Sequence, residues 1–228
     1  MSRPADPHAR IALLRAAEAV FAERGVASAK VEEIARRANV SKGAFYLHFQ
    51  SKDDALRAIV EAFLARCSAI LPVPAALDAM PADPSELLEY CCDVDVELFE
   101  FFWQNRAVLA ILSGCQGPLL YLLDTFRHEV EQRTQAWIDV MKARGMFRDD
   151  LDSSLVSTLM CGAYHELVHR VVASPKRPPI REWIEKAQDA FVRGLGSPTY
   201  SAAAGARHHA DNDMPAPHRH ARVARGRA

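Results

Sequence analysis

The spacing of apolar residues limits what this chain can fold into more than any other feature of its sequence. Apolar side chains recur at intervals of three and four residues, and there is neither a sustained polar/apolar alternation nor an Asn-Gly or Asp-Gly hairpin signal. Intervals of three and four place side chains on one face of an α-helix, whereas strand residues alternate with period two. The pattern predicts an all-α fold, and the chain of 228 residues, half of them hydrophobic, is long enough to form a sizeable core.

Glycine, proline and capping residues divide the helical pattern into about nine segments. Gly25 is placed to end the first helix, Asn39 suits a left-handed turn, and Ser41 is placed to cap the third helix. The first helix is expected to turn Ile11, Leu14, Ala17 and Phe21 inward. The predicted helices span residues 8–24, 31–38, 41–49, 52–70, 85–104, 106–113, 119–144, 153–173 and 180–195.

The segment 31–52, VEEIARRANVSKGAFYLHFQSK, is the most informative part of the chain. It predicts two short helices joined by a tight turn, with the small residue Ala35 where the helices meet. This is the arrangement of a helix-turn-helix, whose second helix enters the DNA major groove. Val40, Phe45 and Phe49 are expected to face inward. The side chains expected to face DNA are Lys42, Gly43, Ala44, Tyr46, Leu47 and His48.

Residues 10–56 resemble the TetR family of transcription regulators. The resemblance is carried by Phe21 and Gly25, Val31, Ile34-Ala35, Ala38, Val40-Ser41-Lys42-Gly43, Phe45-Tyr46, His48-Phe49 and Lys52. It implies an N-terminal helix-turn-helix domain and a C-terminal helical domain with a ligand cavity, which dimerises through the last two helices. It also implies that Lys42, Tyr46 and His48 contact DNA, that Lys52 holds a phosphate, and that Gly43 lets the backbone approach the groove. The predicted DNA-binding residues are Lys30, Ser41, Lys42, Gly43, Ala44, Tyr46, Leu47, His48 and Lys52.

One departure from the family pattern lies at the start of the second helix, where Ala29 and Lys30 stand in place of the usual Ser or Thr. Two interpretations remain open. Either Ser28 caps the helix one turn early, or Lys30 replaces a hydroxyl–phosphate hydrogen bond with a charge contact.

Charge is distributed unevenly between the predicted regions. Residues 1–52, the predicted DNA-binding domain, carry nine Lys/Arg against five Asp/Glu, whereas residues 53–196, the predicted ligand-binding and dimerisation domain, carry fourteen against twenty-two. Residues 197–228 are rich in small residues, His and Arg without apolar periodicity, and are predicted to be a disordered basic tail. A basic end on an acidic body favours a polyanionic partner for the first domain.

Aromatic and soft side chains are frequent on the helices that, by the resemblance, line the ligand cavity. They predict a small, largely apolar effector, with Tyr164, His165 or His128 as polar anchors, although most of these side chains also suit an ordinary core. The predicted ligand-binding residues are Phe99, Phe102, Trp103, Cys115, Phe126, Met160, Tyr164 and His165.

Residues 165–169, His-Glu-Leu-Val-His, match the HExxH pattern of zinc proteases, and Cys161 lies one turn earlier. A protease requires a further ligand and an open site, and the sequence offers neither. Ordinary packing is therefore expected, with no metal and no cofactor, and Cys161, His165 and His169 remain the candidates if a metal binds. The five cysteines are odd in number and lack a CxxC pair, so free thiols are expected, with a redox pair at Cys91 and Cys92 as the alternative.

These features together predict a homodimeric DNA-binding regulator, a repressor that a small effector releases from a palindromic operator, rather than an enzyme. No stretch reaches the length of a membrane span and no signal segment is evident, so a cytoplasmic protein without a membrane partner is expected. The alternatives are a metal-dependent hydrolase around His165, Glu166 and His169, and a regulator that responds to thiol oxidation or metal. The expected dimer face consists of Leu155, Leu159, Gly162, Ala163, Trp183, Ile184, Ala187, Ala190 and Phe191.

Overall fold

The structure, a computed structural model, describes residues 7–73, 76, 79–113 and 118–197. Within these residues the chain forms nine α-helices and no strand, apart from one isolated bridge between Phe147 and Gly196. The all-α prediction is confirmed. The helices are α1 (Pro7–Ser28), α2 (Val31–Arg37), α3 (Lys42–Tyr46), α4 (Lys52–Ile70), α5 (Pro84–Gln104), α6 (Arg106–Ser113), α7 (Pro118–Ala143), α8 (Ser153–Ala173) and α9 (Ile180–Leu195).

Helix α1 differs from the prediction on its buried face. Gly25 has a non-helical backbone with φ 73° and ψ 154°, so the regular helix breaks there as predicted, and one short helical turn follows the kink to Ser28. The buried side chains are Leu13, Ala16, Ala17, Val20 and Phe21, whereas Ile11 is 51% exposed. The predicted face was wrong at this position. Helix α1 contacts α2, α4 and α6, and the periodicity of the sequence does not show which residues these neighbours cover.

The helix-turn-helix is built from local capping and a small aromatic core. Asn39 has the expected left-handed φ of 56°, and the Ser41 hydroxyl accepts a hydrogen bond from the Ala44 amide at 3.1 Å. Phe45 and Phe49 are buried beneath α3 with ring centroids 5.6 Å apart. Helix α3 is five residues long and ends before Phe49, so it is shorter than predicted.

Helix α4 connects the helix-turn-helix to the rest of the molecule. It begins at the Ser51 cap and buries Leu56, Val60 and Phe63, among others. The Phe63 ring stacks on the Phe101 ring of α5 at 5.3 Å. A continuous hydrophobic core therefore extends from α1–α3 through α4 to α5, α6, α8 and α9, and a second cluster lies around Ile138 and Met141 of α7.

The described cysteines, Cys67, Cys91, Cys92 and Cys161, are free, whereas Cys115 lies outside the described residues. Burial raises the pKa of the Cys67 and Cys91 thiols to about 12 and that of Cys92 to about 11. Since the thiolate is the reactive form, neither member of the adjacent pair at 91 and 92 has the microenvironment of a redox sensor. Most of the predicted tail, from residue 198 onward, also lies outside the described residues.

None of the described helices has the length and apolar character that a membrane span requires.

Candidate DNA-binding surface

Helix α3 presents its predicted outer residues to solvent. Lys42, Gly43, Tyr46 and Leu47 are exposed, and Ala44 and His48 are half-buried. The exposed fractions of Tyr46 and Leu47 are 51% and 58%, so the structure leaves two large side chains uncovered beside a lysine. Lysine suits phosphate contacts, and aromatic or apolar side chains suit base edges and thymine methyl groups.

An exposed ion pair holds Lys42 in the absence of DNA. The Lys42 ammonium donates a hydrogen bond to the Glu32 carboxylate at 2.6 Å. This hydrogen bond raises the pKa of Lys42 and lowers the pKa of Glu32. Exposed pairs contribute little net free energy because solvent screens them, so a DNA phosphate can take the place of Glu32 at small cost.

Arg36 is a candidate phosphate contact that sequence reasoning missed. It borders the same open hollow of about 420 Å³ between α2 and α3 as Lys42 does. In the part of the chain that the structure describes, Arg36 is exposed and has no ion-pair partner, whereas its neighbour Arg37 makes a bidentate pair with Glu23 at 2.6 and 2.7 Å. Two adjacent arginines look alike in the sequence, and only the position of Glu23 on α1 distinguishes them.

Lys52 has a different partner from the one predicted. Its ammonium donates hydrogen bonds to the carbonyl oxygens of Val26, Ala27 and Ala29 at 2.8, 2.8 and 3.2 Å. These three bonds use all three N–H donors and satisfy carbonyls at the end of α1 that have no helical partner. These bonds position the start of α4 against the end of α1 in the chain without DNA, and the predicted phosphate contact of Lys52 stays a prediction.

The start of α2 settles one of the two open interpretations. Lys30 is the N-cap residue and makes no side-chain capping bond, while Ser28 is the last residue of α1. Early capping by Ser28 is therefore wrong. The Lys30 side chain is exposed, and its predicted contact with DNA stays a prediction.

The predicted ligand-binding residues do not all meet in one place. Phe99 and Phe102 are buried in the main core, and Tyr164 packs edge-on against Phe99 with centroids 5.8 Å apart. Trp103 lies under the Arg106 guanidinium at 4.4 Å, and Phe126 is half-buried. Met160 packs with the second cluster, His165 is exposed, and Cys115 lies outside the described residues. A shared cavity for the set stays a prediction.

Tyr164 belongs to a polar network that the sequence did not reveal. Its hydroxyl donates to the Asp95 carboxylate at 2.6 Å, and the Gln188 amide donates to the same oxygen at 2.9 Å. The network joins α5, α8 and α9 inside otherwise apolar packing. Burial raises the pKa of Asp95 to about 6, although the two hydrogen bonds favour the ionised form.

We predict that Asp95→Asn changes how stability depends on pH. Between the ordinary Asp pKa of 3.8 and the folded value of about 6, the folded state binds more protons than the unfolded state. Stability of the natural chain should therefore fall as pH rises through this window, on the order of 1 kcal/mol per pH unit. The asparagine side chain of the variant cannot ionise but keeps an acceptor oxygen. The free energy of unfolding of the variant, relative to that of the natural chain, should therefore increase with pH up to about pH 6 and then stay constant. Urea unfolding at pH 4, 5, 6 and 7 measures this difference. A difference that is the same at every pH would contradict the prediction.

The row of three possible metal ligands on α8 does not converge. The Nε2 atoms of His165 and His169 lie 3.1 Å apart, but the Cys161 thiol contacts the Thr134 hydroxyl at 3.6 Å instead. Among the described residues there is no group of three or more His, Cys, Asp or Glu side chains placed to hold a metal ion. Catalytic zinc sites use three protein ligands, so the hydrolase alternative has no structural support in the described part of the chain.

The helix-turn-helix and its exposed surface define this chain as a DNA-binding transcription regulator, and comparisons with known proteins agree. Residues 13–59 match the model of the family described as bacterial regulatory proteins, tetR family. The repressor KstR2 of Mycobacterium tuberculosis is 31% identical over 157 residues, which cover 63% of this chain and 72% of KstR2. The repressor BepR of Brucella suis is 28% identical over 157 residues, covering 66% of this chain and 74% of BepR. The chain belongs to the TetR family.

A solved structure shares the fold at lower sequence identity. SmeT, the repressor of the Stenotrophomonas maltophilia multidrug efflux pump SmeDEF, is 20% identical, with a TM-score of 0.66 over 84% of this chain and 92% of SmeT. This likeness supports the all-α architecture. The named relatives are transcription regulators and not enzymes.

Proposed function

We propose that the protein is a homodimeric repressor that occupies a palindromic operator and is released by a small, largely apolar effector. The observation that carries the proposal is the exposed surface of α3 and its C-cap Leu47, where Lys42, Tyr46 and Leu47 face outward and Phe45 anchors the helix. DNA binding resides in residues 1–52, and dimerisation and effector binding in residues 53–196. The DNA contacts are Lys30, Arg36 and the outer residues of α3, with Lys52 as a positioning residue.

The surface of α8 supports a second copy of this chain as the dimer partner. Leu155 and Leu159 are one turn apart and have exposed fractions of 58% and 62%, and Gly162 and Ala163 continue the same exposed face. Gly162 has open space around it, so another helix can approach closely. On α9, Ala190 is exposed, but Ile184 is fully buried in its own subunit and does not belong to the interface as the sequence predicted.

Two-fold symmetry of this dimer leads to a palindromic operator. An isologous interface relates the two copies of α3 by a two-fold axis, and each copy reads one half-site in the major groove. Half-sites about 34–36 Å apart, one turn of DNA, suit a dimer of helix-turn-helix domains.

An apolar effector suits the aromatic residues of α5 and their neighbours. Phe99 and Phe102 pack at 5.5 Å, with Tyr164 as a hydroxyl-bearing neighbour, and SmeT has been solved in complex with triclosan. If an effector binds between these rings in one conformer of the protein and not in the other, it increases the population of the conformer that it binds. The size of the shift is set by the difference between its affinities for the two conformers. The ring contact between Phe63 and Phe101 couples α4 to α5, so a displacement of α5 would also displace α4. Lys52 in turn links the start of α4 to the end of α1.

Gly43→Ala tests the proposal because the free chain tolerates the substitution. Gly43 lies in a helix without positive φ, and an added Cβ would meet only the Ser41 hydroxyl oxygen at 3.7 Å. Thermal stability should be unchanged or higher, since alanine is favoured over glycine in helices by about 0.5–1 kcal/mol. On DNA, the Cβ lies between the helix backbone and the groove, so we expect operator binding about tenfold weaker, equivalent to removing roughly one good base contact.

The measurement is binding of the purified protein to the DNA that flanks its own gene, and then to its genomic fragments, across a salt series with competitor DNA. Specific binding by the natural chain, weakened in the folded Gly43→Ala variant, supports the proposal. Equal binding by both proteins, or the absence of any preferred sequence, contradicts it.

A further inference from the structure

Two histidines on α8 form a pair that the proposed operator binding does not use. The Nε2 atoms of His165 and His169 lie 3.1 Å apart, with ring centroids 4.6 Å apart and ring planes at 82°. Both side chains are exposed in the single chain. Four-residue spacing places them one turn apart on the same face of the helix.

The distance between the two nitrogen atoms fits a shared metal ion. A first-row metal binds imidazole nitrogen at about 2.0–2.1 Å, so two such ligands at tetrahedral or square angles stand roughly 2.8–3.4 Å apart. The observed 3.1 Å lies within this interval without any change of rotamer. A direct hydrogen bond between the rings has a similar distance, and the experiment below distinguishes the two arrangements.

Two charged side chains interact with His165, namely Arg127 on α7 and Glu166 on α8. The guanidinium of Arg127 is itself paired with Asp124, which offsets its repulsion of a cation.

We propose that His165 and His169 chelate one divalent transition metal ion through their Nε2 atoms, with water or groups from outside the chain in its remaining positions. Two imidazoles without thiolate or carboxylate favour Cu²⁺ over Ni²⁺ and Zn²⁺, and do not suit Mg²⁺ or Ca²⁺. His169 follows Gly162 by two turns, so it continues the α8 face that we propose for dimerisation. The ligand pair lies within one chain, so the site does not depend on operator binding.

Metal titration of the full-length chain tests the site. The tail histidines, His208, His209, His218 and His220, are replaced by glutamine in every protein compared, because they can bind metal themselves. Cu²⁺ and then Zn²⁺ are added during calorimetry, and electron paramagnetic resonance of the Cu²⁺ form reports its nitrogen ligands. The variants are His165→Gln and His169→Gln, and the matched control is His128→Gln, an exposed histidine on α7.

We expect one ion per histidine pair, or one per two chains if two pairs share it, with two or more imidazole nitrogens in the Cu²⁺ spectrum. Each ligand variant should bind at least about tenfold more weakly, since even removal of a residue that only supports a ligand costs that much. His128→Gln should bind like its parent. Equal affinity in all four proteins, or no binding by the parent, would overturn the site and leave only a hydrogen-bonded pair. The titration is done without DNA and without effector, so failure of the site is distinguishable from failure of the proposed function.

Discussion

Replacing Lys42 and Tyr46 together by alanine should strongly weaken specific operator binding and leave the fold intact. Both side chains are exposed, and Lys42 forms an exposed ion pair with Glu32. Tyr46 contacts the buried Phe45 ring edge-on at 5.4 Å, so its removal takes little from the core. A base-edge contact contributes about 1–3 kcal/mol, and each substitution occurs twice in a dimer, so we expect binding to weaken by about a hundredfold or more.

The salt dependence of binding separates the two side chains. Lys42→Ala alone should reduce the salt slope by about 1 for each phosphate that the lysine no longer neutralises, whereas Tyr46→Ala should relax sequence preference and leave the slope unchanged. The matched control, Tyr121→Ala with Lys176→Ala, also removes one exposed tyrosine and one exposed lysine, but from α7 and the loop before α9. The assignment of α3 as the recognition helix fails if the control and the double variant bind equally.

Introducing glutamate at both Leu155 and Leu159 should convert the dimer into monomers. The two leucines are the most exposed of the large apolar side chains on α8. In the proposed interface each substitution buries a carboxylate without a partner, and the two-fold axis doubles the number. We expect the dimer to weaken by at least about a hundredfold, since an unpaired buried charge costs several kcal/mol. Operator binding should weaken with it, because the half-sites are then occupied independently.

Sedimentation velocity over a concentration series measures this change. Leu120→Glu on α7 is the matched control, since Leu120 is also an exposed leucine, at 46%, but lies outside the proposed interface. Helical circular dichroism should be unaffected in both variants because these side chains lie on the surface of the single chain. A dimer that persists with both glutamates would show that a different surface mediates association.

Local signals in the sequence predicted most of the helices. The bounds of α4, α6, α8 and α9 agree with the structure, because caps such as Ser51 and Asp152 and the prolines between helices act on their own neighbourhood. The outward and inward faces of α3 were also predictable, because Phe45 and Phe49 are four residues apart and place one turn of aromatic rings on a single face. The break in α1 was predictable too, because Gly25 adopts a positive φ that glycine tolerates best.

What the sequence by itself determined is the helical class, the position of the helix-turn-helix, and the identity of the residues on its outer surface. Only the tertiary structure decided that Arg36 lacks an ion-pair partner among the described residues while Arg37 pairs with Glu23, and that Lys52 binds the end of α1. The tertiary structure alone also decided that Ile184 is buried in its own subunit and that Asp95 accepts a hydrogen bond from Tyr164 of another helix. Caps and helical periods depend on neighbours within a few residues, whereas these contacts depend on which helix faces meet, and that is set by packing between residues far apart in the chain.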